Sequence, residues 1–225
     1  MEVHLSNFTI QVNDNIYLKN PDSSDLGKKI ISHSIMMIEQ DGLENFTFRK
    51  LAKRIKSTEA SIYRYFESKH KLLLYLISWY WGWMEYKLVF GTANIEDPQI
   101  RLEKAIKILT ETIEEDRTFS HVNEVKLSQI VISESSKVYL TKDVDEENRK
   151  GIFTPYKQIV ERVGQIILEI NPNYKYPHML VSTVVEGAHL QRYFADHLPR
   201  LTNNIDGEDS VVNFYMDMVI KNIQK

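Results

Sequence analysis

The chain has 225 residues, of which 43% are hydrophobic and 26% are charged, a composition typical of a globular protein with one large or two small domains. It contains no cysteine, which excludes a disulfide framework, a thiolate zinc site and a cysteine nucleophile. The net charge is −3, yet residues 28–75 carry ten Lys and Arg against five Asp and Glu. This basic block is either a phosphate-binding surface or a solvated helix face.

The first 24 residues contain FTIQVNDNIYLKNP, in which short alternating apolar runs flank the turn-forming triplet Asn13-Asp14-Asn15. The pattern predicts a small hairpin or an extended arm. The first 15 residues lack the basic-then-apolar profile of a secretory signal, and no apolar run reaches the roughly 18 residues that a membrane span needs. We therefore expect a cytoplasmic protein that does not enter a membrane.

Four helix starts are predicted between residues 24 and 68. An amphipathic helix begins at Ser24 or Asp25, either of which can cap it, and stops at Asp41-Gly42. Its apolar stripe consists of Ile31, Ile35 and Ile38. Hydroxyl residues mark three further starts within 22 positions, namely Thr47, Thr58 and Ser68.

Two short helices separated by about three residues and followed by a third form the helix-turn-helix pattern, whose second short helix enters the major groove of DNA. Ala52 is small where the two short helices must cross closely. The side chains expected to face the core are Phe46, Leu51, Ile55, Ile62 and Tyr65. Those left for the solvent side, where DNA would lie, are Arg49, Lys53, Glu59, Ala60, Ser61 and Arg64.

The stretch FTFRKLAKRIKSTEASIYRYFESKHKLL resembles the N-terminal signature of the TetR family of bacterial transcriptional regulators, and the resemblance covers about residues 25–73. The matching positions are Thr47, Ala52, Thr58, Ile62, Tyr63, Tyr65, Phe66, Lys69 and Leu72. The resemblance implies an all-α fold, in which a three-helix DNA-binding domain is joined by a long helix to a helical ligand-binding and dimerisation domain.

The turn departs from the family, which usually has Gly-Val where this chain has Lys56-Ser57. A glycine relieves a left-handed backbone conformation, which a lysine adopts at a cost of about 1 kcal/mol. We expect an altered but functional turn, in which Lys56 adds a cation near the DNA backbone.

The resemblance also implies phosphate contacts by Thr47, Tyr63 and Lys69, which fits a helix N-terminus, a phenol hydroxyl and an ammonium as donors. For Tyr63, a partly buried core position remains an alternative. Base reading would fall to Arg49, Glu59, Ala60, Ser61 and Arg64. The full predicted DNA-binding set is Thr47, Arg49, Lys56, Thr58, Glu59, Ala60, Ser61, Tyr63, Arg64 and Lys69.

The helix after Ser68 contains LLLYLISWYWGWMEYKLVF, with aromatic residues at helical spacing. Most of these aromatic residues are expected to form one apolar face of the helix that packs in the core. Because the family encloses a ligand pocket beside this helix, Trp79, Trp83 and Tyr86 are also candidates to line a cavity for an apolar or aromatic effector. Further helices are predicted at about 98–116, 121–140, 144–170, 177–197 and 208–224.

The last of these helices has one polar row, formed by Asn213, Asp217 and Lys221, and is apolar over most of its remaining circumference. Such a helix must be buried on two sides. The preceding helix offers residues that permit close crossing, namely Leu180, Val184, Gly187 and Ala188. We therefore predict a two-fold homodimer through residues 177–197 and 208–224.

These patterns predict an N-terminal arm or hairpin (1–24), a DNA-binding domain (25–73) and an effector-binding and dimerisation domain (74–225). The predicted function is that of a DNA-binding regulator, a repressor released from its operator by a small molecule. A helix-turn-helix regulator without a ligand, and a helical small-molecule-binding protein that does not bind DNA, are the alternatives. Without catalytic motifs or a convincing histidine set, we expect no enzyme activity, no metal and no cofactor.

Overall fold

The structure is a computed structural model and describes residues 9–116, 118–119 and 121–224. The described residues contain no strand, so the predicted all-α fold is confirmed. Their α-helices are α1 (Asp25–Asn45), α2 (Phe48–Arg54), α3 (Glu59–Tyr63), α4 (Lys69–Thr92), α5 (Pro98–Thr110), α6 (Glu124–Glu134), α7 (Ser136–Tyr139), α8 (Val144–Arg149), α9 (Thr154–Ile170), α10 (Pro177–His197) and α11 (Ser210–Ile223). None of these helices is long and apolar enough to cross a membrane.

The chain forms two compact units. The first contains the chain up to Gly82 together with Ile113–Thr154, and the second contains Trp83–Thr112 and the chain from Pro155 onwards. The first unit therefore combines α1–α3 and the start of α4 with α6–α8. The second combines the end of α4 with α5 and α9–α11, so the long helix α4 contributes to both.

In the first unit, α1, α2, α3 and the start of α4 pack around one apolar core. The buried side chains include those expected from the sequence, namely Ile31, Ile35, Ile38, Phe46, Leu51, Ile62 and Tyr65. Helix α1 is interrupted near its predicted end, because Gly42 has φ 75° and ψ 157°. The hydrogen-bonded helix resumes after this break and ends at Asn45.

The hairpin alternative for the N-terminal segment is wrong for residues 9–24, and residues 1–8 lie outside the described part of the chain. The Asn13 side chain accepts a hydrogen bond from the Asn15 amide and caps a 3₁₀ turn at Asp14–Ile16, so the triplet starts a short helix instead of joining two strands. A second 3₁₀ turn follows at Pro21–Ser23. Between them, the Leu18 amide donates to the Tyr65 carbonyl.

Three of the helices predicted for the C-terminal part are shorter than expected. The helix predicted at 98–116 ends at Thr110, and that at 121–140 is divided into α6 and α7. The helix predicted at 144–170 is broken between α8 and α9, where Gly151 has φ 76°, a left-handed conformation that ends an α-helix.

Candidate nucleic-acid interface

The two short helices α2 and α3 begin with the same side-chain cap. Thr47 Oγ1 accepts a hydrogen bond from the Lys50 amide at 3.2 Å, and Thr58 Oγ1 accepts one from the Ser61 amide at 3.2 Å. These bonds satisfy amides that the first turn of a helix leaves without partners. The two threonines thus fix where α2 and α3 start, as the sequence predicts.

The turn between α2 and α3 is a Schellman motif. The Ser57 amide donates to the Ala52 carbonyl at 2.9 Å and the Lys56 amide to the Lys53 carbonyl at 3.4 Å, which is the pair of bonds that defines this motif. Lys56 occupies its left-handed position with φ 54°. The lysine therefore adopts the conformation for which glycine is usual, and its side chain is exposed.

The ten predicted DNA-binding residues lie on α2, α3, their caps and turn, and the first residues of α4. Eight of them are exposed, namely Thr47, Arg49, Lys56, Thr58, Ala60, Tyr63, Arg64 and Lys69. The other two, Glu59 and Ser61, are partly exposed. The side chains that the sequence assigned to DNA are therefore at least partly accessible. Of those assigned to the core, Phe46, Leu51, Ile62 and Tyr65 are buried. Ile55, which caps the end of α2, is partly exposed.

Ser61 is the centre of a small polar network on α3. Its hydroxyl lies 2.8 Å from Thr58 Oγ1 and accepts a hydrogen bond from Arg64 Nη2 at 3.1 Å. The network holds the guanidinium of Arg64 against the exposed side of the helix. A change at Ser61 would therefore also release the Arg64 side chain.

Tyr63 is 47% exposed, and its ring meets the buried Phe48 ring edge-on at a centroid distance of 5.0 Å. The phenylalanine of α2 thus orients the tyrosine without burying it. This geometry combines the two interpretations of Tyr63, because one edge of the ring packs on the core while nearly half of the residue remains accessible.

Two lysines next to this surface are anchored to carbonyls at the end of α1. Lys69 Nζ donates to the Leu43 carbonyl at 3.2 Å, and Lys50 Nζ donates to the Asn45 carbonyl at 2.7 Å. Lys50 is exposed but was not included in the predicted set. The sequence shows that Lys50 lies among the basic residues of α2, but it gives no sign of the hydrogen bond to the Asn45 carbonyl.

The aromatic residues proposed for effector binding differ in their surroundings. Trp79, in the first unit, is fully buried, and its ring packs edge-on against Phe119 at 5.2 Å. In the second unit, Trp83 is fully buried under the ammonium of Lys87, 5.0 Å from the ring centroid. Tyr86 is partly exposed and stacks obliquely on Phe90. Their role in effector binding stays a prediction.

The described residues contain no group of three His, Asp or Glu side chains that could hold a metal ion. His121 and Glu124 lie one turn of chain apart but have other partners: His121 Nε2 lies 2.8 Å from Asp22 Oδ1, and Glu124 accepts a hydrogen bond from the Asp116 amide. His189 is partly exposed, but desolvation of its imidazole within the packed helices lowers the pKa of this group to about 4.

Two capped short helices joined by a tight turn, with an exposed face rich in cations and hydroxyls, define a helix-turn-helix DNA-binding protein. Residues 30–76 match the family model of the bacterial regulatory proteins of the tetR family. The chain therefore carries the DNA-binding domain of this family, and the predicted class, an all-α transcriptional regulator, is confirmed.

Solved structures share the fold at low sequence identity. The superantigen PfiT is 13% identical with a TM-score of 0.59, covering 91% of this chain and 98% of that one. The ketosteroid transcriptional regulator KstR2 of Mycobacterium tuberculosis is 14% identical with a TM-score of 0.55, covering 96% of each chain. AibR, solved with isovaleryl coenzyme A and operator DNA, is 16% identical with a TM-score of 0.53, covering 87% and 98%. No curated protein sequence matches the chain.

Proposed function

We propose that this protein binds double-stranded operator DNA through α2 and α3 and represses transcription until a small molecule releases it. The observation that carries the proposal is the exposed face of these helices, where the predicted contacts are held by helix caps and a hydrogen-bonded turn within the matched domain. The proposal assigns DNA binding to residues 25–73 and effector binding and dimerisation to residues 74–225. It describes a cytoplasmic homodimer without enzyme activity.

The proposed contacts fall into two chemical groups. Thr47, Lys56, Thr58, Tyr63 and Lys69 donate to phosphates, because they carry hydroxyl or ammonium groups at helix ends and in the turn. Base edges are read by Arg49, Glu59, Ala60, Ser61 and Arg64. Arginine can bind guanine bidentately, glutamate can accept from cytosine, and a methyl group can contact thymine.

The experiment that tests DNA binding compares two lysines of the first unit. Lys69→Ala should weaken binding similarly on all duplexes and reduce the slope of log affinity against log salt by about one unit, because one phosphate contact is lost. Lys142→Ala removes an exposed lysine of the loop before α8 and should leave the slope unchanged. Filter binding over a salt series measures both. Wild-type protein that binds no duplex would support the alternative of a helical small-molecule-binding protein.

Arg49→Ala should behave differently from Lys69→Ala in that assay. Because we assign its guanidinium to a base edge, its loss should relax the preference at particular operator positions by about 1–3 kcal/mol. The measurement is binding to single-base variants of a duplex selected from a random pool by the wild-type protein. A uniform loss of affinity across these variants would instead assign Arg49 to the residues that contact phosphates.

The effector part of the proposal is supported by the aromatic residues of α4 and by AibR, whose structure contains both isovaleryl coenzyme A and operator DNA. The proposed contacts are Trp79, Trp83 and Tyr86, and an apolar or aromatic ligand would bind them without a charged partner. An effector that favours the released state by about 2–3 kcal/mol would lower operator affinity roughly 30- to 150-fold.

Trp83→Phe should keep DNA binding but reduce induction, because it shortens one wall of the site without opening a large cavity in the core. Replacement by alanine is less suitable, since truncating a fully buried tryptophan costs about 3–5 kcal/mol of stability. Release from the selected duplex is measured with a panel of apolar and aromatic compounds that includes isovaleryl coenzyme A. Trp81→Phe, which changes another buried tryptophan of α4 and removes its hydrogen bond to Tyr139, is the control. Equal induction of both variants would contradict the assignment.

A further inference from the structure

Residues 42–45, the end of α1 after its break, make hydrogen bonds in two directions. The Leu43 amide donates to Glu134 Oε1, on α6, at 3.1 Å. The Leu43 carbonyl accepts from Lys69 Nζ at 3.2 Å, and the Asn45 carbonyl accepts from Lys50 Nζ at 2.7 Å. One short segment therefore contacts a carboxylate of α6 and two lysines beside the DNA-binding face.

The break at Gly42 explains why the Leu43 amide needs this partner. A ψ of 157° turns the following peptide out of the regular helix, and a buried amide without an acceptor costs about 1–3 kcal/mol. Glu134 supplies the acceptor and is itself only 6% exposed. Its second oxygen lies 2.8 Å from Lys137 Nζ, so its charge is compensated.

The Leu43 carbonyl uses one of the three N–H donors of the Lys69 ammonium. Within the described part of the chain this is the hydrogen bond that Lys69 Nζ makes, so two donors remain for phosphate oxygens. A lysine held at a fixed carbonyl loses less side-chain freedom when it meets DNA than an unrestrained one, because part of its rotamer entropy is already lost. The position of the Leu43 carbonyl therefore affects how strongly Lys69 can bind a phosphate.

We propose that Glu134 is a positioning residue for DNA binding, which holds Leu43 so that its carbonyl orients the Lys69 ammonium for a phosphate. This inference rests on the proposed DNA-binding function. Glu134 is the last residue of α6, the first helix of the segment that returns from the second unit to the first.

The experiment uses the full chain and the duplex selected by the wild-type protein. Glu134→Ala removes the acceptor, whereas Glu134→Gln keeps an oxygen that can accept from the Leu43 amide. Glu44→Ala is the matched control, because Glu44 is exposed, follows Leu43 directly and forms a 3.4 Å ion pair with the same Lys137 that pairs with Glu134. Each variant is made with and without Lys69→Ala, and thermal melting establishes the temperature range in which all are folded.

We expect Glu134→Ala to weaken operator binding roughly tenfold, since a hydrogen bond to a charged group is worth an effect of this size. It should also reduce the salt slope by about one unit, as Lys69→Ala does. Added to Lys69→Ala, it should weaken binding no further, because both changes remove the same contact. Glu134→Gln and Glu44→Ala should bind like the wild type.

Additive losses from Glu134→Ala and Lys69→Ala would overturn the inference, and so would a lower melting temperature with unchanged affinity and salt slope. Glu134→Gln binding as weakly as Glu134→Ala would show that the amide acceptor is not what matters. If the wild-type protein shows no salt-dependent binding to duplex DNA, the proposed DNA-binding function is wrong. That result needs only the wild-type protein, so it is distinguishable from a failure of the inference about Glu134, which appears only in the variants.

Discussion

Replacing Phe214 with aspartate is expected to convert the proposed homodimer into monomers. Phe214 lies on α11 and is 58% exposed, although the helix already buries Val211, Tyr215, Val219 and Ile223 within its own unit. A groove of about 810 Å³ lies beside it, lined in part by the apolar side chains of Leu201 and Ile205. An aromatic residue exposed next to other apolar side chains marks an interaction surface.

The expected size of the effect follows from the two-fold symmetry of the proposed dimer. A buried aromatic residue at the centre of an interface contributes about 2 kcal/mol or more, and each dimer contains it twice, so the dissociation constant should rise by roughly a thousandfold. Operator affinity should fall with it, because two half-sites must be bound together. Sedimentation velocity over a concentration series measures the change.

Phe90→Asp is the matched control, since Phe90 is a phenylalanine of similar exposure, 64%, outside α10 and α11. It should sediment like the wild type. Circular dichroism of both variants checks that each is folded. A wild-type protein that sediments as a monomer at micromolar concentration would refute the dimer.

The choice of Phe214 shows what the sequence could and could not predict about this surface. Helical periodicity predicted correctly that α11 is apolar over most of its circumference, with Asn213, Asp217 and Lys221 exposed. Periodicity does not say which apolar side faces the chain's own core. Val219, one of the apolar residues of this helix, is completely buried, so its replacement by aspartate would test folding and not the interface.

The small residues of α10 illustrate the same limit. Their size predicts a close helix crossing, and one is present, but it is made with α11 of the same chain. A Cβ placed on Gly187 would lie 2.1 Å from the hydroxyl oxygen of Tyr215. Composition identifies a position where helices approach closely, whereas the identity of the neighbouring helix depends on the tertiary fold.

The DNA-binding helices were more predictable because their determinants are local. Threonine caps and a four-residue connection specify α2 and α3 within a few positions of the chain. The carboxylate of Glu134, by contrast, meets Leu43 across 91 residues of sequence. Glu147 similarly accepts from His70 Nε2 across 77 residues, at 3.0 Å. Contacts at such separations leave no periodic pattern, so the sequence predicted which side chains of α2 and α3 are exposed but not the distant residues that support them.

Replacing Glu124 with glutamine should make the protein more stable above neutral pH. Glu124 is fully buried at the start of α6. One oxygen accepts from the Asp116 amide at 3.1 Å, and the other has no hydrogen-bond partner among the described residues. Burial raises the pKa of this carboxyl from 4.5 to about 7, with a smaller contribution from the nearby carboxylates of Asp116 and Glu115.

A carboxyl whose pKa is higher in the folded than in the unfolded protein binds its proton more tightly when folded. Its contribution to stability is complete below pH 4.5 and is lost as the pH rises through about 7. A shift of this size corresponds to about 3 kcal/mol in the free energy of unfolding. Glutamine has nearly the same shape and stays neutral, so the variant should avoid this loss at pH 8.

Urea denaturation of the wild type and of Glu124→Gln between pH 5 and 8 measures the difference directly. The stability of the wild type relative to the variant should fall across this range, because only the wild type must ionise a buried group. Glu114→Gln, at an exposed position in the segment before α6, is the control and should follow the wild type. Parallel stability curves for the wild type and Glu124→Gln would mean that the Glu124 carboxylate is solvated or paired in the folded protein.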